Sequence, residues 1–288
     1  MIVVLLCGGL GNQLFQYAAG RSLAHARNTD LVLDLAWYRN PPPSVTPRIY
    51  ELEQYGIRAR PAETLEACCC RLHHGRFLRR IPFLPRRWRH FRESGFAYDP
   101  AMLTLPDNSY LEGYWQSHHY FDGIAGLIRQ ELVPRVPLGA RDQEIAKAIS
   151  QGEAVSIHVR RGDYVSHKGA ASTHGLCSLE YYRTAIDCVL SRVRSPDFFV
   201  FSDDPVWARE NLKLPGRVTY VDHNGEAAAF QDLRLMALCD HQIVANSSFS
   251  WWGAWLNARP DKIVVAPLQW FADGRDTDTL IPSAWIRV

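Results

Sequence analysis

The sequence predicts an α/β fold in which parallel strands alternate with helices through two halves, residues 1–150 and 151–288. Three observations carry this expectation. Ile2 to Leu6, Leu31 to Leu33 and Phe198 to Phe201 are continuously apolar at strand length, as strands covered on both faces require. Proline-free stretches of good helix formers stand between such runs. The alternation begins twice, at residue 2 and again after Gly152, with a proline-containing basic region between.

In the first half, Ile2 to Leu6 is the opening strand, Cys7 to Asn12 a glycine-rich turn, Gln13 to Ala26 a helix and Leu31 to Leu33 the next strand. Together they make a βαβ unit. Pro41-Pro42-Pro43 ends that pattern. Residues 60–95 read as short helices and loops, Leu111 to Trp115 as a strand and Arg141 to Ser150 as a helix. The second half reads as strand Ala154 to Arg160, helix Leu179 to Val193, strand Asp197 to Ser202 and helix Ala227 to Asp240. Strand Gln242 to Ala245, short helix Phe249 to Asn257 and strand Lys262 to Ala266 follow. Two such halves leave a cleft between them, and α/β folds hold ligands at the carboxyl ends of strands, so the chemistry is sought there.

Composition narrows the function classes. Hydrophobic residues are 47% and charged residues 22%, the balance of a globular protein able to bury a core. A net charge of +2 names no partner. Met1 to Leu6 has no basic residue before it and is too short for a signal peptide or a spanning helix, so a soluble, cytoplasmic protein is expected. Seven cysteines without a CxxC pair suggest reduced thiols, although Cys70 with His73 and His74 could touch a metal. Between Arg71 and Arg92 stand eight arginines and no acidic residue. No nucleic-acid module accompanies them; a solvated face or, at most, peripheral attraction to an anionic membrane is the reading.

Four segments carry chemistry. Gly8-Gly9-Leu10-Gly11-Asn12 turns tightly into a helix N-terminus, and Asp34 ends the next strand where a dinucleotide enzyme places its ribose carboxylate. Leu14 stands where the third glycine of that fingerprint belongs, which weakens an NAD-linked alternative. In Ala154 to Asp163, alternation puts Ser156, His158 and Arg160 on one strand face and Val155, Ile157 and Val159 on the other. An arginine at that strand end can clamp a departing diphosphate; a salt bridge to Asp163 is the plainer alternative. Asp203-Asp204 follow another strand, where carboxylates commonly cap a turn or helix. Asn246-Ser247-Ser248-Phe249-Ser250-Trp251-Trp252 runs from a strand into a helix, a junction suited to phosphate or to an ordinary cap by Ser248 or Ser250, with the tryptophans in the core. Asp232 lies upstream in a helix pattern, either a carboxylate for guanine N–H donors or part of a solvated face.

These segments together resemble the bacterial α-1,2-fucosyltransferases of glycosyltransferase family 11, over nearly the whole chain. The resemblance runs through Gly8 to Ala18, Gly113-Tyr114-Trp115-Gln116-Ser117, His158-Val159-Arg160-Arg161-Gly162-Asp163-Tyr164, Phe201 to Asp204, Asn246 to Leu256 and Ile281 to Ile286. It implies a GT-B architecture, two Rossmann-like domains facing a central cleft, with an acceptor-side domain at 1–150 and a GDP-fucose domain at 151–288. It further implies inversion at the fucose anomeric carbon, no cofactor and no metal, and a galactose-terminated oligosaccharide or lipid-linked glycan as acceptor. Carried over by motif, Arg160 sits on the diphosphate with His158 beside it, and Asp232 on guanine. Asn246, Ser247, Ser248 and Phe249 belong to the phosphate and nucleoside loop. Gly9, Gly11, Asn12 and Asp203 also fall on the donor side, Asn12 near the transfer centre. Tyr114, Trp115 and Gln116 face the acceptor, and His158 and Asp163 are the candidates for a general base. Asp276-Thr277-Asp278 spells the DxD signature of metal-dependent transferases but lies in a polar C-terminal stretch and reads as a loop.

Overall fold

Two all-parallel sheets carry the fold, in a computed structural model that describes residues 1–42, 45–63, 88–162 and 175–288. The chain divides into units Met1–Val133 and Pro134–Val288. The first unit holds β1 (Ile2–Leu5), α1 (Leu10–Ala26), β2 (Leu31–Asp34), α2 (Ala36–Arg39), β3 (Arg60–Pro61), β4 (Arg89–Arg92), β5 (Ser109–Glu112) and α3 (Ala125–Glu131). Its five strands lie in the order β3-β2-β1-β5-β4. Ile2, Val3 and Val4 are fully buried, as an all-apolar strand at the centre of a parallel sheet must be.

The second unit holds α4 (Ala140–Ile149), β6 (Ala154–Val159), α5 (Leu179–Leu190), β7 (Asp197–Ser202), α6 (Pro205–Asn211) and β8 (Val218–Val221). It continues with α7 (Ala229–Leu238), β9 (His241–Ile243), α8 (Ser248–Leu256), β10 (Val264–Ala266) and β11 (Ile286–Arg287). Its six strands lie in the order β11-β10-β9-β6-β7-β8. Val155, Ile157 and Val159 of β6 pack with Tyr182, Ala185 and Val189 of α5, the alternation the sequence predicts. The other layer buries Phe199 and Phe201 with Leu235 and Met236.

The units divide after Val133, ahead of the cut the sequence suggests near residue 150. The reason is α4: its Ile145 and Ile149 pack with Phe199, Phe201 and Leu235 and so belong to the second core. Two further differences have local causes. Helix α1 starts at Leu10 instead of Gln13, because the Gly9 carbonyl already accepts N–H bonds from Asn12 and Gln13. The strand expected over Leu111 to Trp115 ends at Glu112, and Trp115 sits in the left-handed region at φ 57°. Strands β4 and β8 and helix α6 were not anticipated; β4 lies within the basic stretch, where charge hides the pattern.

Candidate functional site

In each sheet the chain winds outward from a central strand and later fills that strand's other side, from the far edge inward in the first sheet (β4, then β5) and outward in the second (β9, β10, β11). The crevice at the carboxyl ends, where the order reverses, is the expected ligand position. In the second sheet the reversal lies between β6 and β9, which pair directly. The segments leaving these two strands, Arg160 to Gly162 and Val244 to Ser248, are therefore neighbours. The His158 ring lies 5.5 Å from the Phe249 ring at the start of α8.

Arg160 follows β6 directly, and its Nη1 is 3.0 Å from Asp203 Oδ2. Asp203 also accepts the backbone N–H groups of Arg161 at 2.8 Å and Gly162 at 3.0 Å. A Cβ at Gly162 would stand 2.9 Å from that carboxylate, so the approach depends on glycine. Asp203 thus holds the turn and the guanidinium together, leaving Arg160 24% exposed at the strand end. The plainer alternative that the sequence left open, a salt bridge from Arg160 or Arg161 to Asp163, involves a residue outside the described ones. Arg161 is directed elsewhere: it stacks 4.0 Å over Trp207 and lies 3.5 Å from Asp204, which caps α6 through Trp207 N–H.

His158 is buried, and among the described residues its Nδ1 has no hydrogen-bond partner. Burial first, and the Arg160 charge second, push its pKa down to about 3. At neutral pH the ring is uncharged, a hydrogen-bonding group beside Arg160.

At the β9–α8 junction the cap is Ser247, not Ser248 or Ser250; its Oγ accepts the Phe249 N–H at 3.3 Å. Ser248 and Phe249 remain partly exposed at the helix N-terminus, where free N–H groups favour an anion. Asn246 is different. Its amide donates to the Gly175 and Trp270 carbonyls and its oxygen accepts from the Cys177 thiol, so the buried side chain staples the fold. Trp251 and Trp252 are core residues, as expected.

Asp232 opens α7. Asn224 Nδ2 donates to its Oδ1 at 2.8 Å and to Asp142 Oδ1 at 2.9 Å, while His223 Nε2 lies 2.8 Å from that same Asp142 oxygen. Burial raises the Asp232 pKa to about 7, with Asp142 adding to the rise and Asn224 and His223 opposing it. No described residue bonds Oδ2, which leaves an acceptor for an external N–H. Sequence reasoning missed Asp142, His223 and Asn224; the available signal was a polar pair just past β8, a strand it did not recognise.

In the first sheet the reversal places Gly8 to Asn12, after β1, beside Gly113 to Ser117, after β5. Gln116 Nε2 donates to Asn12 Oδ1 at 2.9 Å. Gly8 has φ 77°, and a Cβ there would lie 2.6 Å from Asn12 Nδ2. The turn is held from within: Tyr38 and Gln13 donate to the Gly8 carbonyl, and Gln16 joins Cys7 to the Gly113 carbonyl. Gly9 caps α1, while Gly11 and Asn12 lie in its first turn. Asp34 takes the Tyr110 hydroxyl at 2.8 Å and the Ala36 N–H at 2.9 Å and is buried, so no ribose carboxylate is presented and the dinucleotide alternative loses its anchor. Of the residues expected to face an acceptor, Trp115 is fully buried against Phe91, Gln116 is buried on Asn12, and Tyr114 alone is exposed. Glu93, unnoticed in the sequence, accepts the N–H groups of Tyr114 and Trp115; burial raises its pKa to about 7.

The DxD segment is a turn in which Asp276 accepts the Asp278 N–H and Arg287 pairs with Asp278. Of the basic stretch, only Trp88 to Arg92 is described; Cys68 to Cys70, His73 and His74 also lie outside the described residues. No helix among the described residues is long and apolar enough to cross a membrane.

The model of the family described as "Glycosyl transferase family 11" matches residues 83–288. The chain belongs to glycosyl transferase family 11. It is 31% identical, over its full length and 99% of the relative, to an alpha-1,2-colitosyltransferase of Escherichia coli. It is 29% identical to galactoside alpha-(1,2)-fucosyltransferase 1 of Saimiri sciureus, over 54% of this chain and 44% of that one. Among solved structures it is similar to the fucosyltransferase NodZ from Bradyrhizobium, with a TM-score of 0.50, 14% identity, and coverage of 88% and 91% of the two chains. The fold of this family 11 member is accordingly GT-B-type, two Rossmann-like units with a parallel sheet each.

Proposed function

We propose that this chain transfers L-fucose from GDP-β-L-fucose to O2 of a terminal galactose, with inversion, giving an α-1,2 linkage. One observation carries the reading: a guanidinium fixed by a carboxylate at the switch point of the second sheet, beside a neutral buried imidazole and a helix N-terminus. That set suits a nucleoside diphosphate, and Asp232 Oδ2 suits the N1–H and N2–H donors of guanine. The acceptor O2 attacks fucose C1 as the bond from C1 to the GDP β-phosphate oxygen breaks on the opposite face. The O2 proton leaves to solvent or to a nearby base. Arg160 neutralises the charge growing on the diphosphate, so no divalent metal takes part in this step. Asp203 acts through Arg160, by positioning it. The first unit receives the acceptor, with Tyr114 offering its exposed ring.

The full-length likeness to a colitosyltransferase favours a second donor, GDP-colitose, whose sugar is fucose without the 3-hydroxyl. The test is to incubate purified protein with each donor and β1,3- or β1,4-linked galactosides, with and without excess chelator, and to determine product linkage. An α-1,2-fucosylated product formed in chelator supports the reading. Transfer from GDP-colitose alone replaces the donor; abolition by chelator overturns the metal-free step.

A further inference from the structure

We propose that His118, His119 and Asp122 form a binding site for one zinc-class divalent transition-metal ion. The two imidazole Nδ1 atoms and the carboxylate converge from consecutive short 3-10 turns, His118–Tyr120 and Asp122–Ile124. His118 Nδ1 lies 2.9 Å from both Asp122 oxygens, and His119 Nδ1 lies 3.2 Å from Oδ2. All three ligand atoms fall within 4.8 Å of one another. A tetrahedral ion with bonds of roughly 2.1 Å sets its donors about 3.4 Å apart, so small adjustments of these atoms admit the ion. Two imidazoles and one carboxylate are the donor set that zinc, nickel and copper accept, and such a site needs no thiolate.

The ligands are held before any ion arrives. Ser117 caps the first turn by accepting the His119 N–H, and Tyr120 and Phe121 anchor it in the core. The His119 ring rests 5.3 Å from that of Tyr98, which packs on Tyr120, which packs on Trp115. The His118 and His119 rings lie only 4.1 Å apart. His119 and Asp122 are 42% and 49% exposed, which gives an ion an entry path and leaves room for a water in the remaining position. The ion would tie down the turn that immediately follows Gly113 to Ser117. It has no part in the transfer step, and the site stands whether or not the donor reading holds.

The experiment uses untagged, metal-free full-length protein titrated with Co²⁺ and followed by visible absorption, then displaced with Zn²⁺. Wild type is expected to bind one equivalent with the weak bands of nitrogen and oxygen ligation. His119→Ala and Asp122→Asn are each expected to lower the affinity ~10-fold or more, the scale that even outer-shell changes reach. Matching thermal unfolding of the metal-free variants checks that both fold. No saturable binding, unchanged affinity in both variants, or the intense charge-transfer bands of thiolate ligation would each overturn the site.

Discussion

At the switch point of the first sheet the polar groups are turned on one another: Asn12 on Gln116, Gln13 and Tyr38 on Gly8, and Gln16 on Cys7 and Gly113. At that of the second sheet, Arg160 pairs with Asp203 and is partly exposed, His158 Nδ1 has no described partner, and Ser248 opens a helix. Both places lie at the carboxyl end of a central strand, β1 or β6, that is flanked by a strand of each arm of its sheet. The difference teaches that topology supplies the crevice, while the hydrogen-bond accounting inside it decides whether a charged ligand finds donors there.

Arg160→Ala is the hardest test of that contrast. It should lower kcat by ~10²-fold or more, the cost of losing one strong electrostatic stabiliser, in steady-state transfer assays. Near-normal turnover would mean that the second crevice is not the site of charge stabilisation. Asp203→Asn should cost about 10-fold in kcat, because it removes the charge paired with Arg160 and leaves two backbone amides with a weaker acceptor. In a double-mutant cycle it should add little to Arg160→Ala. Full additivity would give Asp203 a role of its own.

Asp232 sharpens the comparison through pH. Guanine donors need the ionised carboxylate, and its pKa in the free protein is raised to about 7. GDP affinity should therefore be flat above that pH and fall by about tenfold per unit as protonation takes over below it. Asp232→Asn should bind GDP weakly and lose this slope in calorimetric titrations across pH 5.5 to 8.5. A slope that survives the substitution would assign the titration to another group.

How much of this was legible in the sequence depended on the kind of signal. Strands β1, β6 and β7 were readable because buried parallel strands are apolar throughout or alternate cleanly, and the pairing of His158 with Arg160 on one face followed from a period of two. What a polar side chain touches was not readable, because its partners are distant in the chain. Asn246 and Ser248 look equally suited to a phosphate, yet one is closed into a staple by Gly175, Cys177 and Trp270 and the other is open. Asp203 and Asp204 are adjacent carboxylates with separate tasks, one holding Arg160 and the other capping α6. Trp115 was placed at the acceptor by its motif, but it sits in the left-handed region with its ring in the core, and nothing local to the sequence records that.

The smallest predicted effect probes the closed crevice. Gln116→Ala removes the bond to Asn12 Oδ1 and leaves that partly buried acceptor without its amide. A neutral hydrogen bond of this kind contributes about 1 kcal/mol, so thermal unfolding should shift down by roughly 2–4 °C. If the first unit serves the acceptor and the second the donor, GDP affinity should change by less than about twofold, within the cost of a remote bond, while acceptor KM rises. A loss of GDP affinity comparable to that of Arg160→Ala would break the division, because it would mean that the bonds closed around Asn12 in the first sheet set the geometry of the diphosphate.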